Sequence, residues 1–104
     1  MSTKPKSALA TLEKITGQKL TLGSLLAAIR QGEEMSQTAF AELLGMASNR
    51  YLSDVEHGRR LISPKMAAKY AEKLRYSPRQ FVRLCLQDMV NRDGIKVNVL
   101  VEAA

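Results

Sequence analysis

Gln37-Thr38-Ala39-Phe40-Ala41-Glu42-Leu43-Leu44-Gly45-Met46-Ala47-Ser48-Asn49-Arg50-Tyr51-Leu52-Ser53-Asp54-Val55-Glu56-His57-Gly58 is the stretch on which the fold turns. Ser36, immediately before it, is an N-cap residue whose hydroxyl can accept from the first orphan N–H groups of a helix, and Phe40, Leu43 and Leu44 fall on one side of that helix. Gly45 closes it after about two turns, because glycine adopts the left-handed conformation of a helix C-terminus without a Cβ clash. Ser48 caps a second helix that turns Tyr51, Leu52 and Val55 inward and stops at Gly58. Two short helices joined by a tight Gly-containing turn form the layout by which a compact all-α domain presents one helix to a DNA major groove.

Working outward, the same punctuation predicts three more helices. Leu22, Leu25, Leu26 and Ile29 recur at i, i+3, i+4 and i+7, an amphipathic stripe entered through Thr21 and ending near Gly32. Ser63-Pro64 places a cap and an N1 proline before Met66, Ala67, Tyr70, Ala71 and Leu74. Ser77-Pro78-Arg79-Gln80 repeats that signal with a capping box, and Phe81, Leu84, Cys85 and Met89 give the last helix its apolar face. Upstream, Ser7 heads a short stripe of Leu9, Leu12 and Ile15 ended by Gly17, too short to be stable as an isolated helix. After Gly94 the period changes to two: Ile95, Val97, Val99 and Val101 alternate with Lys96, Asn98, Leu100 and Glu102, which predicts one half-buried strand. A lone strand leaves both edges unpaired, so this one is expected to pair with another chain, most simply its own copy in a two-fold dimer. The expected organisation is a basic arm over residues 1–20, a helical domain over 21–94 and a strand over 95–104.

Composition narrows the chemistry. The chain has 104 residues, 45% apolar and 25% charged, the balance of one folded domain. Sixteen Lys and Arg against ten Asp and Glu give +6, which favours an anionic partner. The excess is uneven: residues 1–20 carry +3, 21–62 carry −1, 63–94 carry +4 and the last ten are neutral. One cysteine, Cys85, and one histidine, His57, cannot make a disulfide framework or a Cys/His zinc site, so neither metal nor cofactor is expected. The sequence shows no apolar run of membrane-spanning length and no signal-peptide pattern, which predicts a cytoplasmic protein.

Met35-Ser36-Gln37-Thr38-Ala39-Phe40-Ala41-Glu42-Leu43-Leu44-Gly45, followed by Tyr51-Leu52-Ser53-Asp54-Val55-Glu56-His57-Gly58-Arg59-Arg60, closely resembles the Cro/CI-like (Xre family) helix-turn-helix. The resemblance covers about residues 21 to 86 and implies a mainly α, five-helix lambda-repressor-like domain, here with an N-terminal arm and a C-terminal β-strand. It implies that Gln37 hydrogen-bonds a phosphate at a helix N-terminus, and that Ser48, Asn49, Arg50 and Asp54 face base edges or the adjacent backbone. The chemistry suits those positions. Arg50 can read guanine O6 and N7, Asn49 adenine N6 and N7, and Asp54 either accepts from cytosine N4 or orients Arg50. Tyr51 is either a reader or a core residue; Arg59 and Arg60 follow the helix where family members touch the DNA backbone. Arg30 and Glu56 match the family's structural ion pair. The turn departs from the pattern, with twelve residues between Gly45 and Gly58, one more than usual, which implies a later start or a tilt of the second helix.

Other features have bland readings beside the functional ones. Lys65, Lys69 and Lys73, and Arg79 and Arg83, recur at helical spacing as a solvated face or a phosphate track. His57 suits a helix C-terminus, Cys85 a small core position, and Glu33-Glu34 a solvated loop. No nucleophile, base and oxyanion arrangement suggests an enzyme. The expected function is a DNA-binding transcriptional regulator, a dimeric repressor of a palindromic operator, with resemblance to HigA- and HipB-type antitoxins that also grip a toxin, and to phage repressors and restriction–modification controllers. The alternative is a helical protein-interaction module without DNA readout, for which the −1 charge of residues 21–62 speaks.

Overall fold

The computed structural model describes residues 20–104 and contains five helices: α1 Leu22–Gly32, α2 Gln37–Leu44, α3 Asn49–Glu56, α4 Pro64–Leu74 and α5 Pro78–Arg92. The predicted arm, with its Ser7–Gly17 stripe, lies almost wholly outside the described residues. Each helix starts where a hydroxyl takes the role of the missing carbonyl: Thr21, Ser36, Ser48, Ser63 and Ser77 each accept from the N–H three residues on. Thr21 goes further, because the Ser24 hydroxyl in turn accepts the Thr21 N–H, a reciprocal box absent from the sequence reading.

Phe40, Phe81, Leu25, Leu26, Leu44, Leu52 and Leu84 are fully buried and make the centre of the core, and all five helices contribute to it. Burying each such side chain is worth about 1.5 to 3 kcal/mol, which is why the apolar stripe rather than helix propensity holds these short helices. α4 and α5 form the most extensive helix pair, α2 and α3 meet across the turn, and α1 rests on both α3 and α5. Two residues depart from their expected faces: Leu43 on α2 is 45% exposed and Met89 on α5 is 39% exposed. The buried stripes of these two helices are therefore narrower than the apolar letters suggest.

α5 anchors both ends of the domain. Asp88 receives the Leu22 N–H at 3.0 Å, placing a carboxylate on the N-terminus of α1. The side chain of Gln87, one residue earlier, grips the C-terminal segment: its Nε2 donates to the Val97 carbonyl and its Oε1 accepts the Val99 N–H, both at 2.8 Å. The expected strand over Ile95, Val97, Val99 and Val101 is not formed, since no strand occurs among the described residues. A ladder needs a second backbone, and here a side-chain amide supplies the two hydrogen bonds instead.

α1 crosses α3 at Gly23, where a methyl group would collide with the Val55 carbonyl oxygen. Gly23→Ala is therefore expected to lose about 1 to 3 kcal/mol in chemical denaturation despite alanine's better helix propensity, and an unchanged midpoint would show that the crossing yields easily. Asp88 gives a second expectation. Burial pushes its carboxyl above the ordinary value, against the smaller lowering effect of the Leu22 N–H. The folded state then binds more protons than the unfolded one between those two values, so ionising Asp88 reduces stability as pH rises through that window. Asp88→Asn, which keeps an oxygen acceptor, should melt at or above the temperature of the unaltered protein at neutral pH. The difference should close once the pH falls below the ordinary carboxylate range.

Candidate nucleic-acid interface

The turn between α2 and α3 is set by backbone hydrogen bonds. Gly45 adopts φ 74°, and Met46 N–H returns to the Ala41 carbonyl at 2.9 Å, closing α2. Met46 and Ala47 then lead to Ser48, whose hydroxyl accepts the Tyr51 N–H at 3.1 Å, so α3 starts at Asn49 as its cap dictates, longer turn notwithstanding.

Beneath the pair lies a buried charge cluster. Glu56, with a side chain only 4% exposed, accepts from Arg30 Nε at 2.8 Å, Arg30 Nη2 at 3.2 Å and Gln37 Nε2 at 3.0 Å. Arg30 also donates to the Met35 carbonyl at 3.1 Å. One carboxylate thereby joins α1, the start of α2 and the end of α3, and its paired N–H donors offset the cost of burying it. Gln37 spends one amide hydrogen on Glu56; the second remains at the N-terminus of α2.

α3 turns two faces in opposite directions. Leu52 and Val55 are buried, while Arg50, Ser53, Asp54 and His57, spaced i, i+3, i+4 and i+7, line the opposite side. Ser48, Asn49 and Arg50 are exposed at its N-terminal end. Asn49 is tied back to α2 through Nδ2 donating to Thr38 Oγ1 at 3.2 Å. Arg50 makes no side-chain hydrogen bond or ion pair among the described residues. Asp54 does not orient Arg50, although the two are a turn apart: its Oδ1 takes Arg59 Nε at 3.0 Å, and its backbone carbonyl takes the N–H groups of Arg59 and Arg60 at 2.8 and 3.2 Å. Gly58, at φ 76°, lets the chain double back to make these bonds. Arg60 lies over the Tyr51 ring at 4.9 Å, so Tyr51 is half-buried against the core while it carries a guanidinium on its outer face.

Ser53 and Thr38 were not singled out in the sequence, yet Ser53 sits at the middle of the exposed α3 face and Thr38 positions Asn49. The i+3 offset from Arg50 was the available signal for Ser53. His57 caps α3, its Nδ1 2.8 Å from the Ser53 carbonyl. Cys85 is buried and donates to the Ile62 carbonyl at 2.9 Å; desolvation raises its thiol to about 11, which keeps it protonated and unreactive at neutral pH. Among the described residues no three His, Cys, Asp or Glu side chains are grouped to hold a metal ion, and no helix is long and apolar enough to cross a membrane.

Removing Glu56 alone strands Arg30 and Gln37. Glu56→Ala should cost about 3 to 5 kcal/mol in unfolding free energy, while Asp54→Ala, which breaks only an exposed pair, should cost under about 1 kcal/mol. Comparable losses in urea titrations of the two would refute the view that Glu56 is the structural hub.

A family model described as helix-turn-helix matches residues 26–81, from the middle of α1 to the first turn of α5. No curated protein and no solved structure matches the chain. The match spans over half of the sequence and takes in the turn, the Glu56 cluster and the exposed face of α3. The chain belongs to the helix-turn-helix family of the Cro/CI (Xre) type, a family of DNA-binding regulatory proteins.

Proposed function

We propose that the protein is a sequence-specific transcriptional repressor that binds a palindromic operator as a homodimer, with α3 of each copy in the major groove. The observation that carries this reading is the outward face of α3, on which Arg50 stands exposed and without a side-chain partner among the described residues while Arg59 and Arg60 are held at the helix's C-terminal end. The forked N–H donors of an arginine match guanine O6 and N7. Asn49, braced by Thr38, keeps its carbonyl and second amide hydrogen for adenine. Asp54 holds Arg59 with Oδ1 and keeps Oδ2 as an acceptor for cytosine N4. Gln37, Ser48, Arg59 and Arg60 contact phosphates and fix the register without reading sequence.

One recognition helix reads only a few base pairs, so two copies on half-sites about 34 to 36 Å apart supply the discrimination that a genome of competing sites demands. Such a role places the protein in the cytoplasm with the DNA. The antitoxin form of this reading adds a second partner, a toxin encoded beside the gene, and predicts that the two proteins co-purify when expressed together.

The test is fluorescence anisotropy against DNA from immediately upstream of the gene, with a scrambled duplex as control, over a range of salt concentrations. A preference of about 10³-fold or more with a steep salt slope is expected. Arg50→Ala should lose about 1 to 3 kcal/mol on the native duplex and relax specificity at one base pair. Equal, weak and salt-insensitive binding to both duplexes would overturn the reading in favour of an interaction module.

A further inference from the structure

The C-terminal segment offers one open edge, and its sequence matches itself. In an extended chain the carbonyl of Val97 and the N–H of Val99 lie on the same edge, and both are taken by the Gln87 amide at 2.8 Å. The amide thus stands where a neighbouring strand would. The N–H and carbonyl groups of Lys96, Asn98, Leu100 and Glu102 point to the other edge, where they have no partner among the described residues. The side chains alternate to match: Val99 and Val101 are half-buried and Ile95 and Val97 about half exposed, whereas Lys96, Asn98 and Glu102 are exposed and Leu100 is 86% exposed.

We infer that this open edge pairs, antiparallel and about a two-fold axis at Val99, with the same edge of a second copy. The inference rests on the homodimer reading above and specifies its contact. An isologous contact requires a self-complementary surface. The segment has one base and one acid, Lys96 and Glu102, each three residues from Val99. Placing Val99 opposite itself sets Lys96 opposite Glu102 twice, Val97 opposite Val101 twice, and Asn98 opposite Leu100. Because only even-numbered residues face the open edge, the neighbouring antiparallel registers centre on Asn98 or on Leu100. The first sets Lys96 opposite Leu100, and the second sets Asn98 opposite Glu102; neither pairs opposite charges. The Val99 register also joins the valines of two copies on the face already turned toward the domain, extending its apolar cover. Gln87 contributes by order: its two hydrogen bonds already hold Val97 and Val99 before a partner arrives, so the ordering cost is lower on association.

Site-directed cross-linking reads the register. Val99 would occupy a non-hydrogen-bonded pair, with Cα atoms about 4.5 Å apart, within disulfide range; two copies of residue 98 would lie diagonal, about 7 to 8 Å apart and outside it. Under mild oxidation Val99→Cys should form a covalent dimer at least about tenfold faster than Asn98→Cys, with buried Cys85 taking no part. In sedimentation equilibrium Lys96→Glu should weaken dimerisation about tenfold, and the charge swap Lys96→Glu/Glu102→Lys should restore it. Cross-linking equal at the two positions, or a dimer indifferent to Lys96→Glu, overturns the register while leaving the homodimer reading intact. A chain that stays monomeric in solution and occupies its operator as one copy overturns both, and a toxin that binds this edge only in the absence of dimer reassigns it to that partner.

Discussion

The Glu56 carboxylate sits almost wholly out of water where α1, α2 and α3 meet, and a charge in that position is stable only while Arg30 and Gln37 surround it with donors. The angle between α2 and α3, and hence the direction in which α3 presents Asn49 and Arg50, depends on this one group being satisfied from two helices at once. Gly23 reinforces the constraint from the other side, since the backbone of α1 can lie against Val55 only because it lacks a side chain there. The helix pair is therefore held by a polar clamp at one point and a backbone contact at another. Apolar packing, which is tolerant of small shifts, fills in between.

α5 does for the periphery what Glu56 does for the centre. Three of its residues within a single turn serve three different segments: Cys85 holds the loop at Ile62, Gln87 the C-terminal segment and Asp88 the start of α1. That concentration explains how a domain of short helices keeps its connections in place. The loop tied at Ile62 also follows Arg59 and Arg60, so the mechanical path from α5 to the proposed phosphate contacts is only a few residues long.

The helices were legible in the sequence because each carries its own punctuation. The five hydroxyl caps, the N1 prolines at 64 and 78 and the αL glycine at 45 are local chemistry and need no knowledge of tertiary structure. The Arg30 and Glu56 pairing was legible only through resemblance, as twenty-six residues separate the two partners. What could not be read was partner choice among neighbours. Asp54 lies one helical turn from Arg50 but binds Arg59, because the chain reverses at Gly58 and brings Arg59 back to it. Arg75 ends α4 in the left-handed conformation without being glycine, a backbone cost set against the closing hydrogen bond from the Tyr76 N–H to the Ala71 carbonyl at 2.8 Å and announced by no residue preference. The strand pattern over residues 95–101 was real as an alternation. Whether it becomes a ladder depends on a second backbone, which the described residues do not supply, and the Gln87 amide that takes one edge is twelve residues distant from Val99.

The stack of Arg60 on Tyr51 and the pairing of Arg59 with Asp54 bear on kinetics as well as contact. A free arginine side chain surrenders about 1.5 to 2 kcal/mol of rotamer entropy when it is immobilised. Here part of that loss has already occurred on folding, through interactions within α3 and its own exit loop. With Arg60 stacked on Tyr51 and Arg59 paired to Asp54, an approaching duplex would meet a charge pattern of preferred orientation at one end of α3, its net positive charge supplied by Arg60. Encounters would then convert to the docked state with less searching, and once docked the complex would have fewer loosened conformers through which to depart.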